Sequence, residues 1–388
     1  MKIAIVGPAH PYKGGPAQHA TSLAHQLAAA GHEVLLQSWS AQYPKRLYPG
    51  QLTVDTPEVE LFPATERTLA WYRPDGWWRA GRRLARERFD AVVLFVYTPV
   101  QVPAYLTLAR AAAVGGCTVV ALCNNVLPHE QRRFDKRLMT ALLRRADALV
   151  VHSGEQAALA GTLTSSPVQV AALPPHLPGA GHGAGRAAEA ALPAADSPWA
   201  PRHRLLFFGI VRPYKGLDVL VRALAEADVA EVALTVAGEI WEGRDELLAL
   251  ISQLGLTGRV TLTEGYVPTG DVPGLFEAAD ALVLPYRSAT ASQNALIAFE
   301  YGVPVIATRA GAIADAVTDG VNGLLCAPGD VAGLAAAIRR LYQPGELEKL
   351  RAGVAPPDPG PVWAGYIAAV ERAAQGATRA RVTDSKRG

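Results

Sequence analysis

Arg204-Leu205-Leu206-Phe207-Phe208-Gly209-Ile210-Val211-Arg212-Pro213-Tyr214-Lys215-Gly216-Leu217-Asp218 is the stretch that decides the fold. An apolar run ends in a glycine, passes through a basic loop and opens a helix striped by Leu217, Leu220, Val221 and Leu224. A strand that is apolar on both faces belongs in a parallel sheet covered on both sides. The same unit stands at the beginning of the chain. There the strand Lys2–Gly7 runs through Gly7-Pro8-Ala9-His10-Pro11-Tyr12-Lys13-Gly14-Gly15 into a helix striped by Ala17, Ala20, Leu23, Ala24 and Leu27, with Gly31 as its stop.

Working outward, apolar runs at Glu33–Ser38, Asp90–Tyr97, Thr118–Cys123 and Ala148–His152 continue the first series. Runs at Glu231–Gly238, Val260–Thr263, Ala281–Leu284 and Val303–Thr308 continue the second. Leu173–His203, rich in Pro, Gly and Ala and without a period, separates them as a linker or hinge. The expected fold is α/β, two Rossmann-like doubly wound domains facing across a cleft. The expected boundaries are 1–180 for the first domain, 181–203 for the hinge and 204–360 for the second. A helix over 361–376 and a disordered tail over 377–388 complete the chain.

With 388 residues, two domains are the natural expectation. A net charge of +2 with 19% charged residues gives no global reason for nucleic-acid binding. No apolar stretch is long enough to serve as a secretory signal or a membrane span. Cys117, Cys123 and Cys326 are too few and scattered for a disulfide framework or zinc site and are expected as buried thiols. A cytoplasmic, reduced protein is the expectation.

In open parallel sheets, ligands bind beyond the carboxyl ends of the strands. Gly14-Gly15 there either makes a tight turn or lets an anion approach the helix start; neither the Walker nor the dinucleotide spacing is present. Arg212 and Lys215 either form a solvated basic turn or neutralise a diphosphate, Arg as a fork and Lys as a point charge. Tyr286 to Glu300 brings small polar residues and a second helix start at Ser292, Gln293, Asn294 and Ala295. Glu300 is either a surface residue or the acceptor for a ribose diol.

These pieces resemble the GT-B glycosyltransferases of the large retaining family four, and the likeness runs almost end to end. It rests on Gly14-Gly15, Gly31–Val34, Asn125–Glu130, Lys215–Asp218, Ala279-Asp280-Ala281, Gly302–Thr308 and Asp319–Leu325. The resemblance implies a hexosyltransferase-type enzyme with a nucleotide-diphosphate sugar as co-substrate, no separate cofactor, and an acceptor the residues do not name. Gly14 and Gly15 would face the donor phosphates, with Gly209 in the matching loop. Lys215 and Arg212 would stabilise the leaving diphosphate. Tyr266 and Val267 would lie against the base, and Gln293, Asn294 and Ala295 beside the sugar. Glu300 matches the second glutamate of the family's E-x7-E element and would hold the ribose.

Three positions depart from the pattern. Ser292 stands in place of the first glutamate, Ile210 in place of an arginine, and Asn124 in place of a histidine near the reacting carbon. His129 either enters the site or caps the next helix. The runner-up is a nucleotide-sugar-binding protein with impaired catalysis. No Asp-x-Asp pair follows a strand, so no metal is expected. Trp71–Arg88 holds six arginines against two carboxylates. It is either a helix with a Trp core face and a solvated Arg face, or a peripheral contact with an anionic membrane.

Overall fold

The computed structural model describes residues 1–44, 52–54, 59–175, 202–227, 229, 231–289 and 293–385. Two units emerge, Met1–Pro174 with Pro359–Gly388, and Pro175–Asp358. Most of the expected hinge, residues 176–201, lies outside the described residues.

The first unit is built on a seven-stranded parallel sheet in the order β3-β2-β1-β4-β5-β6-β7. Its strands are β1 (Lys2–Val6), β2 (Glu33–Ala41), β3 (Thr65–Ala70), β4 (Ala91–Val96), β5 (Thr118–Cys123), β6 (Ala148–Val151) and β7 (Val168–Val170). Helices α1 (Gly15–Ala29), α2 (Pro74–Arg86), α3 (Val102–Val114), α4 (Asp135–Leu143) and α5 (Gly154–Gly161) cross between them. The second unit repeats the plan with six parallel strands in the order β10-β9-β8-β11-β12-β13. They are β8 (His203–Phe208), β9 (Val232–Gly238), β10 (Val260–Glu264), β11 (Ala281–Leu284), β12 (Val305–Thr308) and β13 (Gly323–Cys326). Its helices are α6 (Leu217–Glu226), α7 (Arg244–Gln253), α8 (Val272–Glu277), α9 (Asn294–Glu300), α10 (Ile313–Ala316), α11 (Val331–Leu341) and α12 (Glu346–Ala352). The last helix, α13 (Pro359–Ser385), belongs to the first unit and packs on β5 and β6.

The period of two along each strand sorts side chains to opposite faces. In β1, Ile3 and Ile5 enter a core with α1 and α13, whereas Ala4 and Val6 enter one with α2, α3 and α4. In β8, Leu205 and Phe207 pack with α6 and α11, and Leu206 faces the core of α8 and α9. Both sheets are therefore covered on both sides, and their ligand-accessible ground lies at the strand ends.

An aspartate precedes three of the strands and performs the same task each time. Asp90 accepts the Lys2 amide at 2.7 Å, Asp147 the Val119 amide at 2.8 Å, and Asp280 the Arg204 amide at 2.8 Å. Each satisfies a donor at the amino edge of a neighbouring strand. Asp280, part of the family likeness, is thus far along the sheet from the carboxyl edge.

Several sequence expectations change. β3, β7 and β13 are additional strands, and each is a sheet edge whose short or half-exposed run lacks the continuous apolar signal. β8 ends at Phe208 rather than Val211, because Gly209 leaves the extended region with φ +99°. Helix α13 runs on to Ser385, so the tail expected from 377 is helical as far as that residue. Ala, Arg and Val follow Gly376 without a proline, and nothing there terminates a helix. All three cysteines are buried thiols outside any disulfide.

Tyr366 on α13 is fully buried, and its hydroxyl has no hydrogen-bond partner among the described residues. Tyr366→Phe should therefore leave stability unchanged or raise it by up to about 1 kcal/mol. Tyr366→Ala should cost about 3–5 kcal/mol through the cavity it opens. Urea unfolding of both variants checks this.

Candidate active site

In the second unit, the carboxyl ends of β8, β9, β10 and β11 supply the candidate groups. β8 and β9 close upon one another at two glycines. Gly209 has φ +99°, Gly238 has φ +149°, and a Cβ on Gly238 would run into the Gly209 carbonyl. This close approach drops the loop floor, and the chain then climbs through a single 3-10 turn, Pro213–Lys215, into α6.

Lys215 folds back over that floor. Its ammonium is 3.3 Å from where a Cβ of Gly209 would stand and 5.3 Å from the ring centroid of Tyr286. No carboxylate pairs with it among the described residues. Burial pushes its pKa below the usual lysine value, with the neighbouring Tyr214 acting weakly the other way. Taking an ammonium out of water without a counter-charge is unfavourable, and loss of the proton is the ordinary escape.

Arg212, three residues earlier, leans on a different wall. Its guanidinium lies 5.4 Å from the Trp241 ring centroid and 3.5 Å from the Glu242 carboxylate. Trp241 and Glu242 were not singled out in the sequence. Their position after β9, at the carboxyl edge, is the signal that could have found them.

Asn294 opens α9 and donates to the Phe208 carbonyl at 2.8 Å and to the Tyr286 hydroxyl at 3.4 Å. It stands 3.5 Å from the same Gly209 Cβ position, so Lys215, Asn294 and Gly209 converge. Gln293 is the N-cap residue of α9 and makes no side-chain cap bond, and Ala295 is buried behind it. Ser292 lies outside the described residues. Glu300 ends α9, half-buried, and has no hydrogen-bond or ion-pair partner among the described residues. Tyr266 and Val267 follow Gly265 at the end of β10, and Val267 packs against the α8–α9 core.

In the first unit, Gly14 and Gly15 differ in kind. Gly14 has φ +103°, which only glycine adopts easily, whereas a Cβ on Gly15 would meet nothing within 4 Å. The fold therefore needs glycine at 14 but not at 15. The start of α1 carries no side-chain cap and no acidic residue, as suits an anion.

Asn124 sits one residue past β5. Its backbone amide donates to the Val96 carbonyl at 2.9 Å, and its buried Oδ1 has no hydrogen-bond partner among the described residues. His129 lies in the loop before α4, which starts at Asp135 with Phe134 as its N-cap residue. The capping role is therefore ruled out. Burial lowers its pKa, against the pull of Glu130, and favours the neutral ring. A polar network that the sequence did not reveal lies past β4. Tyr97 takes hydrogen bonds from Tyr43 at 2.8 Å and Gln101 at 2.9 Å and donates to Gln42 at 3.1 Å. Among the described residues no group of three or more His, Cys, Asp or Glu could hold a metal ion.

Residues 14–176 match the model of the glycosyl transferase 4-like domain, and residues 202–344 that of the glycosyl transferases group 1. D-inositol 3-phosphate glycosyltransferase 1 of Catenulispora acidiphila is 34% identical over 160 residues, 38% of this chain and 38% of that one. The 2-deoxystreptamine glucosyltransferase of Streptomyces kanamyceticus is 34% identical over 151 residues, with 38% of each chain covered. The matched region thus spans well under half the length of these relatives. Sucrose-phosphate synthase of Thermosynechococcus elongatus superposes with a TM-score of 0.68 at 18% identity, covering 100% of both chains. Anabaena HepE in complex with UDP and glucose gives 0.66 at 17%, again over 100% of both.

Gly15→Ala should leave thermal stability unchanged or raise it by about 0.4–1 kcal/mol, since it only stiffens the unfolded chain. Gly14→Ala should cost about 1–3 kcal/mol through its strained φ. Thermal unfolding separates the two.

Proposed function

Because the chain belongs to the group 1 glycosyltransferases, a family of GT-B architecture, we propose that it transfers a sugar, with retention and without a metal, from a nucleotide-diphosphate donor to an acceptor hydroxyl. The observation that carries this is the half-buried ammonium of Lys215, which has no carboxylate partner among the described residues and stands beside Gly209 and Asn294. A diphosphate is the counter-charge such a group calls for. Breaking the bond between anomeric carbon and phosphate puts negative charge on the leaving diphosphate. A fixed cation waiting there stabilises the transition state without reorganisation.

The other groups take roles that follow from their places. Arg212, over the Trp241 ring, adds a fork of donors for phosphate oxygens. The uncapped start of α1 and the bare backbone at Gly15 suit the donor phosphates. Glu300, without a partner among the described residues, accepts from a ribose diol, and Tyr266 and Val267 flank the base. Asn124 donates a hydrogen bond to a sugar hydroxyl. The leaving phosphate itself takes the acceptor proton, so no separate base is required. HepE is described with UDP and glucose, which puts UDP-glucose first among donors to try. Relatives named for D-inositol 3-phosphate and 2-deoxystreptamine put those two compounds first among acceptors.

The acceptor side includes an anionic membrane surface. Helix α2 buries Gly76, Ala80, Gly81 and Leu84 against the sheet. Trp77 turns inward and donates to the Ala70 carbonyl at 2.7 Å, while Trp78 is 55% exposed, so neither a wholly buried nor a wholly solvated Trp face describes it. Arg73 and Arg79 share Asp75, and Arg83 is held by Glu66 and Glu87. Arg82, stacked on Trp78 at 4.4 Å, and Arg86 have no carboxylate partner among the described residues. An exposed Trp beside uncompensated Arg suits the headgroup region. Among the described residues no helix is long and apolar enough to cross a membrane.

Lys215→Met keeps the packed stem and removes the charge. The folded-state pKa lies below the unfolded one, so wild-type stability rises with pH through the folded value. The variant lacks that cost and should be at least as stable at neutral pH. Its turnover should nevertheless fall by about 10²–10³-fold. Near-normal transfer would overturn the mechanism, and nucleotide binding without diphosphate release from any donor would favour the impaired binder. For the membrane, co-sedimentation with anionic phospholipid vesicles should weaken with salt and drop severalfold in Arg82→Glu/Arg86→Glu. Unchanged sedimentation would remove that surface from the account.

A further inference from the structure

Two loops of the second unit are bolted together by side chains to which the transfer mechanism gives no part. Arg287, between β11 and α9, donates through Nη1 to Asp218 Oδ1 at 2.9 Å and through Nη2 to Asp218 Oδ2 at 2.6 Å. Nη1 also donates to the Pro213 carbonyl at 2.7 Å, and the Arg287 amide donates to the Tyr214 carbonyl at 2.7 Å. These partners bracket Lys215 on both sides. Pro213 and Tyr214 precede it, and Asp218 follows it in the first turn of α6.

The backbone leaves little slack between the loops. Gly216 has φ +67°, and a Cβ there would run into the Pro285 carbonyl. Tyr286, next to Arg287, is the ring over which the Lys215 ammonium sits. A lysine alone is a flexible stem with a point charge at its tip. Here its base is fixed by one arginine and its tip by the neighbouring tyrosine.

Asp218 is also the carboxylate nearest to Lys215 in sequence along this loop. Burial alone would push its carboxyl up, and the Arg287 fork overrides that and holds it below the usual value. With both oxygens taken by Arg287, Asp218 is not a counter-ion for the lysine. The titratable groups packed about the ammonium are then Tyr214 and Tyr286.

We propose that Arg287 and Asp218 are positioning residues for Lys215: the pair fixes the 213–218 turn and keeps Asp218 from neutralising the ammonium. The inference rests on the transfer reading for its functional meaning, but its physical content is tested without it. Lysine labelled with ¹³C at Cε gives one signal for Lys215, identified by its loss in Lys215→Met. A pH titration of that signal reads the proton affinity of Lys215 directly.

Arg287→Met releases Asp218, and the Lys215 titration should move up by about one pH unit. Arg287→Met/Asp218→Asn removes the freed carboxylate and should return it to or below the wild-type value. Arg287→Lys, able to pair but not as a fork, should fall between. A purely structural role for the pair would lower the melting temperature in all three and leave the titration unmoved, and that result overturns the proposal. Turnover in the same variants should fall on the order of tenfold to a hundredfold, mostly in kcat. Wild-type transfer that survives Lys215→Met would sink the transfer reading alone, because the titration result stands apart from it.

Discussion

A half-buried ammonium with no carboxylate partner among the described residues is the constraint on which the rest of the site depends. Lys215 is placed by a backbone that only glycine permits at 209, 216 and 238, so three positions are given up to loop geometry in order to put one charge there. The isolated fold gains nothing from that arrangement, since burial disfavours the protonated form. A group that costs stability in the free protein and is nevertheless surrounded by rigid supports is the mark of a binding site. The mobility of a lysine stem is restrained by Tyr286 above and by the Arg287–Asp218 fork below.

The two units reach their loops by one construction. Strands alternate core faces, helices cover both, and an aspartate ahead of β4, β6 and β11 ties the amino edge of each sheet. With that edge sealed by hydrogen bonds, the carboxyl edge is where unusual loops collect. Gly14-Gly15 and Asn124 gather on it in the first unit, and Lys215, Asn294 and Tyr266 in the second. The scaffold and the site therefore occupy opposite ends of the same strands.

Much of this was legible in the sequence, and the failures have a physical pattern. Central strands such as β5 and β11 were readable to the residue, because burial on both faces demands an unbroken apolar run. The edge strands β3, β7 and β13 were not, since a strand with one free side tolerates polar or very short stretches. The basic loop was visible as Arg212 and Lys215, but their division of labour was not. Spacing says nothing of Trp241 and Glu242, twenty-nine and thirty residues away from Arg212, which draw that arginine to another wall. Likewise Ala279-Asp280-Ala281 carried weight in the family likeness, yet Asp280 serves the sheet, holding the Arg204 amide and Arg351. His129 did not cap α4, because five residues separate it from Asp135 and the loop continues to Phe134.

Calorimetric titration of UDP into the protein at alkaline pH, in two buffers of different ionisation enthalpy, tests the central claim most directly. If a diphosphate supplies the missing counter-charge, it raises the proton affinity of Lys215, so binding takes up protons and the apparent heat differs between the buffers. That difference disappears in Lys215→Met. Tight binding with equal heats in both buffers would contradict the account, because the nucleotide would then be held somewhere other than against this lysine.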